Sequence, residues 1–139
     1  MEQLYFKFLG TPKPKQSFRF TKTGHRYQKA DVVQHERSLA IQVMEVLPQG
    51  FVPFDVPIEM KCVFVFPYPA SFNKKKLAEA KEGKVFYKDT KPDVTDNLNK
   101  GVCDAMEGLV FINDSRIAKF SAEKIYGDTP RTEIWITKL

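Results

Sequence analysis

The chain has 139 residues, 42% of them hydrophobic and 13% aromatic, so one core can form without disulfide or metal staples and a disordered chain is excluded. A formal charge of +5 favours polyanionic partners, with solubility alone as its other common use. No stretch reaches the roughly eighteen uninterrupted apolar residues of a membrane span, and the first residues lack a signal peptide's organisation, so a cytoplasmic protein is expected.

The elements follow in chain order. Residues Gln3 to Leu9 are rich in Leu, Tyr and Phe and read as a strand ending at Gly10, and Pro12 and Pro14 make the next segment a loop. Between Thr11 and Lys29 the basic residues Lys13, Lys15, Arg19, Lys22, Arg26 and Lys29 occur without an acid. They are interleaved with Phe18, Phe20 and Tyr27, and Ser17 to Thr21 with Arg26-Tyr27 could form two short arms around a turn.

Residues Lys29 to Leu47 place Ala40, Val43, Met44 and Leu47 at helical spacing, with Asp31 as cap, Gln34 three residues on and Pro48 as stop. Ile58, Met60, Cys62, Phe64 and Phe66 then fall on one face of an alternating run, with Val63 and Val65 on the other, which predicts a central strand. Asn73 to Glu82 is a short helix rich in lysine. A second main helix starts at Asp93 or Asp96, carries Leu98, Val102, Ala105 and Leu109 towards the sheet, and stops near Gly108.

Leu109 to Ile112 reads as a short strand, Asn113-Asp114-Ser115 as a turn, and Ile117 to Tyr126 as a longer strand. The turn at Gly127 to Pro130 leads into Thr132, Ile134 and Ile136 alternating with Glu133, Trp135 and Thr137, and the last two strands read as a hairpin. One α+β domain over residues 1–139 is expected, with a mixed, mostly antiparallel sheet and two main helices on one face. Cys62 and Cys103 sit among apolar neighbours and suit reduced core positions better than a bridge. His25 and His35 are too few and too far apart for a zinc site or a nucleophilic dyad.

On the second main helix Asp96, Lys100 and Asp104 lie four residues apart and share a stripe roughly opposite Leu98 and Ala105. Asp93 stands at the helix entrance, and the Asn113-Asp114 turn can fold back beside the stripe. Carboxylates gathered in this way suit a hard divalent ion, which takes oxygen ligands and shares its shell with phosphate oxygens. Such an ion can acidify a bound water and stabilise charge at a phosphodiester, while Lys100 could position the phosphate, stabilise developing charge or help activate water. Each residue also has a structural use: Asp93 or Asp96 as helix cap, Lys100 in surface pairs with Asp96 and Asp104, and Asp114 as a turn residue.

The run Lys91-Pro92-Asp93-Val94-Thr95-Asp96-Asn97-Leu98-Asn99-Lys100, with Asp104-Ala105-Met106-Glu107-Gly108 and Asn113-Asp114-Ser115-Arg116-Ile117 after it, resembles the signature of the RusA family of Holliday junction resolvases. The resemblance implies a small homodimeric, Mg²⁺-dependent endonuclease, with Mn²⁺ able to substitute, that makes paired nicks in four-way DNA junctions of a bacterial or phage-infected cell. It assigns catalysis to Asp96, Lys100, Asp114 and Asp93, and metal binding to Asp93, Asp96 and Asp114. The chain departs from the family's common Asp-x-Asp-Asn by one additional residue between Asp93 and Asp96, which displaces Asp93 towards a cap or outer position. Asn113 stands where the family has a second acid.

A four-way junction has approximate two-fold symmetry, so a two-fold dimer would present one site to each of two like strands. Phe111, Trp135 and Val110 are interface candidates, with the core as their alternative place. Lys13, Lys15, Arg19, Lys22, Arg26, Lys74, Lys75 and Lys76 are the expected DNA contacts, joined by Lys84 and Lys88, and Phe18, Phe20 or Tyr27 could stack at an unpaired crossover. A nuclease with a broader choice of flaps and forks, and a branched-DNA-binding protein without cleavage, are the alternatives.

Overall fold

The structure is a computed structural model that describes residues 3–14, 19–20, 26–27 and 30–139, with the backbone alone described for residues 19–20, 26–27, 30–33 and 96. Its strands are β1 (Gln3–Leu9), β2 (Arg19–Phe20), β3 (Arg26–Tyr27), β4 (Ile58–Phe66), β5 (Ile117–Tyr126) and β6 (Arg131–Lys138). Its α-helices are α1 (Ala30–Val46), α2 (Lys74–Lys81) and α3 (Asn99–Met106), the last entered through a π-helical turn, Val94–Leu98. The fold is α+β, and no helix among the described residues is long and apolar enough to cross a membrane.

The main sheet has the order β1-β6-β4-β5, with β1/β6 and β6/β4 antiparallel and β4/β5 parallel. Period-two alternation sets its faces. Phe6 pairs with Ile134, Ile134 with Cys62, and Cys62 with Ala122, so one row of apolar side chains crosses all four strands. Leu39 and Val43 of α1 and Leu98 and Val102 on and before α3 join the same buried cluster. On the other face Tyr5 and Trp135 pack with ring centroids 5.3 Å apart, and the Tyr5 hydroxyl donates to Glu133.

Several expectations need correction. The last two strands do not form a hairpin, because β4 lies between them. Alternation in β5 and β6 specifies which face each residue takes and not which strand it pairs with, and β4, buried on both faces at Phe64, Val65 and Phe66, takes the central place. The crossing is tight: the Gly127 amide donates to the Phe66 carbonyl, and a Cβ on Gly127 would stand 2.6 Å from Val65 Cγ1. Val65 is β-branched and buried, so it cannot swing aside. Gly127→Ala is expected to lower stability by about 1–3 kcal/mol, read as a reduced urea midpoint at an unchanged slope.

Helix α1 begins at Ala30, which puts Asp31 within the helix and not at its cap. Its buried stripe is Leu39 and Val43, with Leu47 packed beside them, whereas Met44 is 51% exposed, because the face against α3 and β1 follows the four-residue row 39–43–47. Leu109 to Ile112 is not a strand; it is a turn fastened by Phe54, whose amide donates to the Val110 carbonyl and whose carbonyl accepts from Ile112. Val110 and Phe111 are fully buried in the core, which removes both from the interface candidates. Trp135 stays half-buried on the outer face. Cys62 and Cys103 are unbridged, and burial pushes both thiols up.

Candidate active site

The acidic segment is held from below by β5. Lys124 Nζ donates to the carbonyls of Thr90, at 2.5 Å, and Pro92, at 2.8 Å, which fixes the chain just before Asp93. A lone lysine in a strand gives no periodic signal, so sequence reasoning passed over it.

The π turn follows at once. It closes with the Leu98 amide donating to the Asp93 carbonyl at 3.0 Å, spanning one residue more than an α turn would. The additional residue between Asp93 and Asp96 falls inside this turn. Leu98, Val102 and Ala105 then continue into the core in helical phase. Asp93 is exposed at the mouth and lines a hollow of about 370 Å³ with Lys91, Pro92, Asn97 and Pro14. Asp96 has its backbone in the π turn, and its side chain lies outside the described set.

Helix α3 buries Val102, Ala105 and Met106 and leaves Lys100 exposed, with Asp104 half-buried. Gly108, at φ +84°, ends it, and the Gly108 amide donates to the Phe111 carbonyl as the chain doubles back. The returning segment makes a 3-10 turn over Asp114–Arg116, capped by Asn113, whose Oδ1 accepts from the Ser115 amide at 2.9 Å. The Asp114 amide donates to Glu107 Oε1 at 3.1 Å, and Arg116 pairs with Asp55 at 2.8 Å. Glu107 thus ties the Asp114 turn to the end of α3. Its place in the motif carried no hint of this cap, because the partner is a backbone amide seven residues on.

Electrostatics report the same proximity. The Cys103 thiol is pushed up to about 12, first by burial and then by Asp114, Asp104 and Glu107, so the charges acting on it are all carboxylates. Asn99 Oδ1, beside Lys100, is buried with no hydrogen-bond partner among the described residues. The charged and amide donors gathered here are oxygens, which fits a hard divalent ion better than a soft one. Among the described residues, which do not include the Asp96 side chain, no three Asp, Glu, His or Cys side chains converge on one point. The structure therefore brings Asp114, Glu107 and Asp104 to one end of α3 and leaves Asp93 at the helix entrance.

Of the expected DNA contacts, Lys74, Lys75 and Lys76 are exposed on the first turn of α2, which Asn73 caps by accepting from the Lys76 amide. Lys13 is exposed after β1 and lines a cavity of about 90 Å³ with His35, Ser38 and Thr132. Burial and then the Lys13 charge lower the His35 pKa. Arg19 and Arg26 belong to the paired β2 and β3, their side chains outside the described set with those of Phe20 and Tyr27. Lys15, Phe18, Lys22 and His25 lie outside the described residues.

The model of one protein family, described as endodeoxyribonuclease RusA, matches residues 10–137. The chain belongs to the RusA family. A RusA-family member is a hydrolytic DNA nuclease associated with Holliday junction resolution and dependent in general on a divalent metal. This RusA-family chain is also 29% identical over 143 residues to a Bacillus subtilis (strain 168) protein described as "Uncharacterized protein YqaN", covering 100% of this chain and 99% of that one.

Proposed function

We propose that this chain is a homodimeric, Mg²⁺-dependent nuclease that resolves four-way DNA junctions by paired symmetric nicks in the cytoplasm of a bacterial or phage-infected cell. The observation that carries the reading is the series Asp93, Asp96, Lys100 and Asp114, which runs from the residue before the π turn through that turn and one helix to the 3-10 turn that folds back on the helix. Asp96, Asp114 and Asp93 would hold the metal, which supplies charge stabilisation at the phosphodiester and a water acidic enough to lose its proton near neutral pH.

The other steps fall to the chain's own groups. Lys100, exposed on α3, holds the scissile phosphate by charge. Glu107 fixes the turn that carries Asp114. Lys124 fixes the approach to Asp93 and acts as a positioning residue. Lys13, Lys15, Arg19, Lys22, Arg26 and Lys74 to Lys76 neutralise phosphates around the cut, which gives affinity without sequence preference. Two copies related by a two-fold axis set one such site on each of two like strands.

Lys124→Met keeps much of the side chain's apolar stem and removes the two hydrogen bonds to the Thr90 and Pro92 carbonyls. Cleavage is expected to fall roughly ten- to a hundredfold through misplacement of the acids, with junction affinity and melting temperature little changed. An unaltered cleavage rate in single-turnover kinetics would show that the anchor is dispensable.

The proposal is tested by initial cleavage rates on a four-way junction, a flap and a plain duplex at matched Mg²⁺ and salt. The junction is expected to be cut fastest, in two strands of like polarity. Equal or faster cutting of flaps would replace junction resolution by a broader branched-DNA nuclease.

A further inference from the structure

Away from the acids, an open groove of about 670 Å³ lies between α2 and the outer edge of β5. Its floor is aromatic. Phe72 stands edge-on to Phe86, with ring centroids 5.1 Å apart, and to Tyr126 at 5.4 Å, and it tilts against Tyr68 at 5.8 Å. The segment from Phe86 to Lys88 runs along β5 as an added edge: the Tyr126 amide donates to the Phe86 carbonyl and the Lys88 amide to the Lys124 carbonyl. Tyr87, between them, is 64% exposed.

Lysines stand over these rings. Lys76 Nζ lies 4.9 Å from the Phe72 centroid, Lys84 Nζ 5.0 Å from that of Phe86, and Lys88 Nζ 5.2 Å from that of Phe66 and 5.5 Å from that of Tyr126. Lys84 is paired with Glu79. Among the described residues Lys76 and Lys88 have no carboxylate within ion-pair distance. A sealed apolar cluster would exclude ammonium groups. Half-buried rings, an exposed tyrosine and lysines outside ion-pair distance of any described carboxylate are what a single nucleic-acid strand needs, with bases to stack and phosphates to neutralise. The exposed Asp89 is the one acid in the groove's described lining.

The groove also adjoins the acids. Thr90 lines it, and Lys91, Pro92 and Asp93, the next residues, line the hollow at the entrance of the π turn. Lys124 holds the strip between the two through the Thr90 and Pro92 carbonyls.

We propose that this aromatic and lysine-lined groove is a stacking site for unpaired DNA bases, holding the single-stranded segment next to the phosphodiester that is cut. The inference rests on the reading of the chain as a branched-DNA nuclease. It assigns to Phe72, Phe86, Tyr87 and Lys88 the recognition of unpaired bases beside the cut, a role the acids do not fill.

The test uses the full chain with a short fluorescent oligothymidylate, a four-way junction and a blunt duplex, all in a metal-free buffer. Tyr87→Ala, at an exposed position, and Phe86→Leu are each expected to weaken oligothymidylate binding roughly tenfold while duplex affinity stays unchanged. Oligothymidylate carrying 5-iodouracil, irradiated on the unaltered protein, is expected to cross-link within the peptides containing Phe72, Phe86 or Tyr87. Unchanged oligothymidylate affinity in both variants, cross-links only elsewhere, or displacement by polyglutamate as readily as by unlabelled oligothymidylate would overturn the groove while leaving the nuclease reading intact. Failure to bind any of the three DNAs would overturn both.

Discussion

Asp96→Asn is expected to lower metal-dependent strand cleavage by roughly a hundred- to a thousandfold or more while junction affinity stays the same or rises slightly. The amide keeps the size of the carboxylate and loses its charge, so the π turn Val94–Leu98 and the burial of Leu98 should survive. Affinity is carried by lysine and arginine contacts to phosphates, and removing a negative charge beside the DNA cannot weaken them. Cleavage and binding therefore separate. Single-turnover cleavage of a labelled junction, with a mobility-shift titration on the same preparation, reads both. Asp96→Asn protein that cuts at the wild-type rate would remove Asp96 from the site, and loss of binding would give it a structural role instead.

The second large effect is on stability. Phe111 is fully buried, its carbonyl accepts from the Gly108 amide, and Phe54 brackets it through the Val110 and Ile112 backbone. Truncation to Ala removes a whole ring from a packed core, and the two hydrogen-bonded neighbours prevent the turn from collapsing into the space. A loss of roughly 3–5 kcal/mol is expected, with a fall in melting temperature of roughly 10–15 °C. Asp114 follows Phe111 by three residues, so cleavage should fall as well, even well below the melting temperature. Calorimetry of Phe111→Ala checks the first effect and a junction assay in the cold the second. A small stability change accompanied by loss of dimer would return Phe111 to the interface.

Legibility followed the physics of each signal. The alternation in β4 and β6 and the Leu98, Val102, Ala105 stripe were readable because burial imposes their periods of two and about 3.6. Strand order was not readable: alternation is blind to partners, and the insertion of β4 between β5 and β6 depends on a long-range choice marked locally only by Gly127 passing over Val65. Leu109 to Ile112 was misread because a short apolar run serves a buried turn as well as a strand.

For the site, the acids and Lys100 stood out by spacing and family resemblance, and the additional residue before Asp96 was visible as a departure. How the chain accommodates it was not, since a π turn has no sequence signature. Glu107 and Lys124 act on backbone groups of distant segments, which no motif encodes. The aromatic groove draws Phe72, Phe86 and Tyr126 from three separate segments, so only the fold brings them together.

The acid and lysine series along Asp93 to Asp114 is tested most directly by incubation of the purified chain with a synthetic four-way junction, each strand labelled in turn, with and without Mg²⁺. The account predicts nicks at symmetry-related positions in two strands of like polarity, dependent on Mg²⁺ and restored by Mn²⁺ after chelation. Tight junction binding with no cut strand under either metal would contradict it and leave a branched-DNA-binding protein.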